Sequence, residues 1–130
     1  MAGFTTDWQQ KVLDHSTGKA SLGAALPVHI ALFIVPPTDA GGGTECNYTG
    51  YGRVATSPAT WNAAAGTEAS NAQAVTFVGA CTGGTNTVVA FGAYDGPTLG
   101  NLLWWGPVSL AVSAGITPTF VAGKLKATLD

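Results

Sequence analysis

Charge is what this chain has least of. Five basic and seven acidic residues make up 9% of its 130 positions, where soluble domains carry about 25%. A Gly/Ala/Thr-rich exterior with so few ionic groups is poorly kept apart from its neighbours, so the composition points to a component of an assembly. The five cations, Lys11, Lys19, Arg53, Lys124 and Lys126, are scattered, and the net charge is −2. They offer no stripe that could neutralise a row of phosphates, which argues against a nucleic-acid partner.

Long apolar runs are missing as well. The longest, residues 30–35, gains only Leu26, Pro27 and Val28 around His29, whereas a membrane helix needs about 20 apolar residues. No membrane partner is expected. The start, Met1 to Asp7, has neither the basic residues nor the apolar stretch of a secretory signal, so the expectation is a protein that acts where it is made or leaves within a particle. Cysteine is nearly absent. Cys46 and Cys81 lie far apart and outside any C-x-x-C pattern, and a zinc site would have to be completed from His15 and His29. Two readings stay open for this pair: unrelated buried thiols, or a disulfide joining two loops, which would suit a particle leaving the reducing cytosol. A repeat of fixed period is also lacking, which excludes a collagen, coiled-coil or β-helical shaft.

The remaining sequence describes one β-rich domain over residues 1–130, large enough to fold without staples. Thr6 to His15 is the one good helical stretch. Thr5 or Thr6 is its N-cap, Trp8 and Val12 share a side, and Ser16-Thr17-Gly18 ends it. Residues 1–25 therefore read as an N-terminal helix and arm, and 26–130 as the β-core. Residues 27–35 predict a strand covered on both faces, stopped by Pro36-Pro37. Residues 37–43, with Gly41-Gly42-Gly43, predict a curled or mobile connection. Beyond Tyr48, expected strands at 51–55, 60–64, 72–78, 87–94, 102–105, 108–112, 119–121 and 124–129 alternate with glycine-rich turns. That spacing signals an antiparallel β-sandwich or barrel, jelly-roll-like, with one short N-terminal helix. In the last strand, Leu125, Ala127 and Leu129 should face the core.

Residues that could do chemistry are few. His15 at a helix end is read as a capping group and His29 in an apolar strand as a core or interface histidine. Asp39 and Glu45 flank the triple glycine without the spacing of a calcium loop, and the glycines lack the lysine and helix of a phosphate cradle. No catalytic residue, metal site or cofactor is expected. The aromatics say more. Trp104-Trp105 must point to opposite faces of one strand, so one indole faces outward, a partner, or a second packed face. The interface candidates are Trp8, Val12, Pro36, Pro37, Asp39, Gly41, Gly42, Gly43, Trp104 and Trp105. The helix and the 36–44 loop are chosen because the β-core should close without them.

Several blocks in order carry a family likeness: Val12-Leu13-Asp14-His15, Val28 to Phe33, Pro37 to Glu45, Tyr51-Gly52-Arg53, Ala74 to Phe77, Val88 to Asp95, Gly100 to Gly106 and Thr119 to Asp130. On these the chain resembles a family of small structural proteins of tailed bacteriophages, known as tail fibre proteins and sometimes acting as capsid cement. Cys46, Cys81 and the 81–86 turn depart from that pattern. The resemblance implies a virion component with no catalytic motif. The leading expectation is a capsid decoration protein, a homotrimer on the outer surface of the head bound to the major capsid protein and assembled in the bacterial cytoplasm. The alternative is a tail-fibre or baseplate component with tail or baseplate partners. A distant third is a carbohydrate-binding β-sandwich using Trp61, Trp104 and Trp105 with Asp39, Glu45, Glu68 and Asp95.

Overall fold

The unbroken apolar segment after Val28 becomes the middle of the molecule. A computed structural model describes residues 3–23, 27–77 and 80–128. In chain order the elements are β1 (Gly3–Phe4), α1 (Thr6–Thr17), β2 (His29–Val35), β3 (Thr44–Glu45), β4 (Val54–Ala55), a 3-10 turn (Pro58–Thr60), β5 (Glu68–Ser70), β6 (Val75–Thr76), β7 (Asn86–Tyr94), β8 (Leu102–Val112), β9 (Thr119–Phe120) and β10 (Lys126–Thr128). The main sheet runs β1-β8-β7-β2-β3, with β4 also on β2, and β5–β10 and β6–β9 form two small sheets. Every pairing is antiparallel. The fold is mainly β and sandwich-like, with one helix.

Strand alternation gives the main sheet two packed faces. Ile30, Leu32, Phe91, Leu103 and Trp104 enter the larger core together with Phe77 and Phe120. Ala31, Phe33, Ala90 and Leu102 form a second cluster under half-buried Tyr94 and Trp105. This is why β2 shows no polar alternation. Gly92 sits where the strands are tightest: a Cβ there would lie 2.7 Å from both Phe33 and Leu102.

Several expected boundaries move. Residues 102–105 and 108–112 are one strand, because Gly106 and Pro107 stay paired with Phe91 and Ala90 and a bulge between Pro107 and Leu110 carries the ladder on. Residues 60–64 form no strand. Pro58 starts a 3-10 turn, and Trp61 then makes only an isolated bridge with Asn71. β3 and β5, unmarked by apolar alternation, are short additions held by their partners. Val78 and Leu129, in two of the expected strands, lie outside the described residues.

The N-terminal segment is stitched to the sheet. Gly3 and Phe4 pair with Trp105 and Trp104, and the buried Thr5 hydroxyl donates to the carbonyls of Leu102 at 2.7 Å and Leu103 at 3.1 Å. Thr5 is also the N-cap of α1, and Gly18 closes the helix at φ 79°. Residues 3–5 therefore form the edge of the sheet that the β-core was expected to complete without them. The helix itself buries none of its residues fully.

Asn71 fixes the opposite end. It is completely buried, its amide nitrogen donates to the carbonyls of Gln73, Phe120 and Val121, and its Oδ1 accepts from the Leu125 backbone at 3.0 Å. One side chain thus ties the start of β6, the end of β9 and the approach to β10. Asn71→Ala leaves several of these buried groups without partners and should cost about 3 kcal/mol. Chemical denaturation of the purified variant checks it, and a loss below 1 kcal/mol would show that water replaces the amide.

Candidate functional site

Arg53, the chain's single arginine, organises the most elaborate polar cluster in the molecule. It precedes β4, and only 7% of its side chain is exposed. Nη2 and Nε donate to the two carboxylate oxygens of Glu45, on β3, at 2.6 and 3.2 Å. Nη1 reaches across to the β7–β8 hairpin and donates to the carbonyls of Gly96 at 3.0 Å and Leu99 at 2.7 Å. The guanidinium lies 3.7 Å above the ring centre of Tyr94. Tyr51 completes the cluster by donating its hydroxyl to Glu45 Oε2 while accepting from the Leu32 backbone at 3.1 Å.

Burial acts to raise the Glu45 pKa, but hydrogen bonds from Arg53 and Tyr51 together with the arginine's charge hold it below the ordinary carboxylate value. Burial and the bond to Glu45 push the Tyr51 phenol well up, so it remains a donor. Four guanidinium hydrogen bonds and the Tyr51 hydroxyl are spent on Glu45 and on backbone. This is a structural clamp and contains no poised acid or base.

The clamp shapes the hairpin tip. Asp95 Oδ1 accepts from the Asn101 backbone at 2.7 Å, and between the two sits Leu99 at φ 53°, the one non-glycine among the described residues with a left-handed backbone. Its side chain is 84% exposed.

The expected interface residues fall into separate groups. Thr6 donates its backbone N–H to the Asp39 carbonyl at 2.9 Å, so the start of α1 and the glycine loop do meet. With Gln10, Tyr94 and Asn101 they line an open cavity of about 510 Å³ that includes Asp39, Gly41 and Gly42. The loop is tightly curled: Thr38 and Gly41 exchange two backbone hydrogen bonds, and Gly43, at φ 79°, has no room for a Cβ against Val35 and Pro37. Pro36 is exposed and Pro37 buried, while Trp8 and Val12 are half-buried on the helix. Trp104 lies inside the larger core, against which Trp8 also packs, and Trp105 is half-buried in the smaller one, so both faces of that strand are packed.

Of the residues proposed for a sugar site, Trp61 and Trp104 meet, and the carboxylates of Glu45, Glu68 and Asp95 are engaged elsewhere. Trp61 and Trp104 pack edge to face at 5.4 Å, Glu45 belongs to the clamp, Glu68 pairs with Lys126, and Asp95 holds Asn101. Cys46 and Cys81 are buried free thiols, and the disulfide left open by the sequence is not formed. His29 Nδ1 is buried without a hydrogen-bond partner, and His15 Nδ1 accepts from the Leu22 backbone at 3.2 Å. Among the described residues no group of three or more His, Cys, Asp or Glu could hold a metal ion, and no helix is long and apolar enough to cross a membrane. The clamp escaped the sequence because Glu45 and Arg53 read separately as a turn residue and an isolated cation. The one available signal was a lone arginine beside two tyrosines, Tyr48 and Tyr51, within eight residues of a glutamate.

Compared with known families, residues 3–128 match the model described as "Podophage GP4 fiber I protein gp80". The chain belongs to this family. It is a structural protein of a tailed phage and a component of the virion, as the resemblance implied. Between the two placements weighed from the sequence, the family's fibre description favours the tail-fibre alternative over head decoration. A search of curated proteins found no match.

Arg53→Met should destabilise the domain by about 3 kcal/mol, because it strands Glu45 in a partly buried site, and Arg53→Lys should not restore the loss since an ammonium lacks the planar fork. The pH dependence has a defined sign. With its folded pKa depressed, Glu45 contributes stability that is fully present above its unfolded value of about 4.3 and is lost as pH falls through the folded one. Denaturation between pH 2 and 6 should show this acid slope in the wild type and a shallower one in Arg53→Met. For the thiols, burial and the Glu45 charge push Cys46 up to about 11, so a thiol-reactive dye should label it in unfolded protein and leave it unlabelled in native protein at neutral pH.

Proposed function

We propose that this chain is a non-enzymatic building block of the podophage tail fibre, working as a homotrimer and joined through exposed elements to neighbouring tail or baseplate proteins. The observation that carries this reading is helix α1. A 12-residue helix is marginal by itself in water and draws its stability from a packed face, yet α1 buries no residue fully and leaves Leu13 63% exposed. Thr5, Asp39 of the glycine loop and Trp8 against the larger core hold its inner side, and the outer side with Leu13 is available to another subunit.

The family's fibre description supports the tail, and the internal use of Glu45, Arg53 and Asp95 supports a role without catalysis. Capsid decoration draws only on the low charge and the compact β-domain, which serve either location.

Gold-labelled antibody against the chain on intact particles tests the placement. Label at the tail, with a few to a few dozen copies per particle, is the expected result. Several hundred copies spread over the head would overturn it in favour of decoration, and absence from purified particles would reject both.

A further inference from the structure

We infer that in the oligomer residues 3–17 of each copy dock on the main sheet of a neighbouring copy, so that β1 and α1 are exchanged between subunits. This rests on the homo-oligomer reading above and names the contact that makes it.

The receiving surface is the outer edge of β8, and what covers it is defined. Gly3 and Phe4 pair with Trp105 and Trp104, and the Thr5 N–H donates to the Leu103 carbonyl at 2.9 Å. The Thr5 hydroxyl, on a residue only 2% exposed, donates to the carbonyls of Leu102 and Leu103. Thr6 adds its bond to Asp39, and Phe4 and Trp8 pack against the larger core. The free edge of a strand is matched by another extended segment, and this one meets it with a buried, hydrogen-bonded joint.

The joint is bound to its own β-core by a tether alone. From Leu13 to Pro27 every described residue is exposed. The backbone hydrogen bonds of residues 18–23 run back to Asp14 and His15 or stay within the arm, and the β-core begins at Val28, whose carbonyl accepts from Thr56. The bonds of the joint are therefore the same whichever copy supplies the segment. Residues 18–28 reach about 35 Å when extended, and a domain of this length is about 35 Å across, so the arm spans to an adjoining copy. Gly18 and Gly23, at φ 79° and 80°, are points where its path turns.

Exchange also supplies what the exterior lacks. The exposed large apolar side chains come from separate elements, and two of them, Leu13 and Leu22, lie on the helix and the arm themselves. Contact between intact exteriors has little continuous apolar area to bury, whereas exchange uses a joint that is already packed and places Leu13 and Leu22 on the stretch that crosses between copies. A flexible tether presents its own segment at an effective concentration in the millimolar range. A dilute chain accordingly closes on itself, as in this structure, and exchange takes over where copies are crowded together, as in a fibre.

Isotope-filtered NMR reads the exchange in the unaltered chain. Labelled and unlabelled copies are unfolded together and refolded at about 1 mM, where tether and neighbour compete. The expected result is an oligomer with nuclear Overhauser contacts between Phe4 of one copy and Trp104 of another. Protein that stays monomeric at that concentration overturns the inference. So does an oligomer in which every Phe4–Trp104 contact lies within one chain, which leaves the homo-oligomer and the tail placement standing. Thr5→Val gives a second readout, since it removes the hydroxyl and keeps the side chain's shape. Once circular dichroism shows it folded, it should associate about tenfold more weakly than wild type by sedimentation equilibrium, because the joint is the interface. A folded Thr5→Val that associates like wild type, with only its melting temperature lowered, puts the segment on its own sheet and refutes the exchange.

Discussion

The fold depends on one buried ion pair. β3 and β4 contribute two residues each to the edge of the main sheet, too few ladder bonds to fix an edge alone. The Arg53–Glu45 pair joins one to the other, and Tyr51 ties the carboxylate to the backbone of β2. The same guanidinium caps the end of β7 through Tyr94 and sets the path of the hairpin beyond it. Withdrawing two charges from water costs several kcal/mol and is offset only when their hydrogen-bonding capacity is filled. Here three bonds reach the carboxylate and two backbone carbonyls accept from Nη1, so the pair is expensive to form and more expensive to break. It selects one arrangement of loops over others that the apolar strands would tolerate.

What the sequence disclosed follows the range of the forces involved. α1 was legible because its signals are local: a threonine cap, Trp8 and Val12 four residues apart, and Gly18 in the left-handed conformation. It simply runs two residues past the expected His15. β2 and β7 were legible from apolar runs with glycine or proline beyond them. The rest was decided at a distance. Gly106-Pro107 reads as a terminator, but pairing along β7 carries the strand through with a bulge. Trp61 reads as a strand residue, but a place in the larger core and a hydrogen bond to Thr56 take it out of any ladder. Asn71 carries no sequence signal at all, and its importance lies in partners about 50 residues away.

Low charge takes on a sharper meaning in three dimensions. Two of the twelve charged residues are committed to the clamp and four more to surface ion pairs within the chain, which leaves even fewer to keep copies apart. Composition alone suggested a broad sticky exterior. The structure instead shows apolar exposure at separate points, Leu13 on the helix and Leu99 at the hairpin tip among the largest.

The interior clamp and the exposed hairpin tip depend on the same residues. A hairpin of glycine, proline and threonine would otherwise keep its conformational freedom. Arg53 removes it beforehand, during folding. The desolvation this buried charge costs is offset by the bonds that hold the sheet edge and the hairpin, so the chain's one arginine fixes both at once.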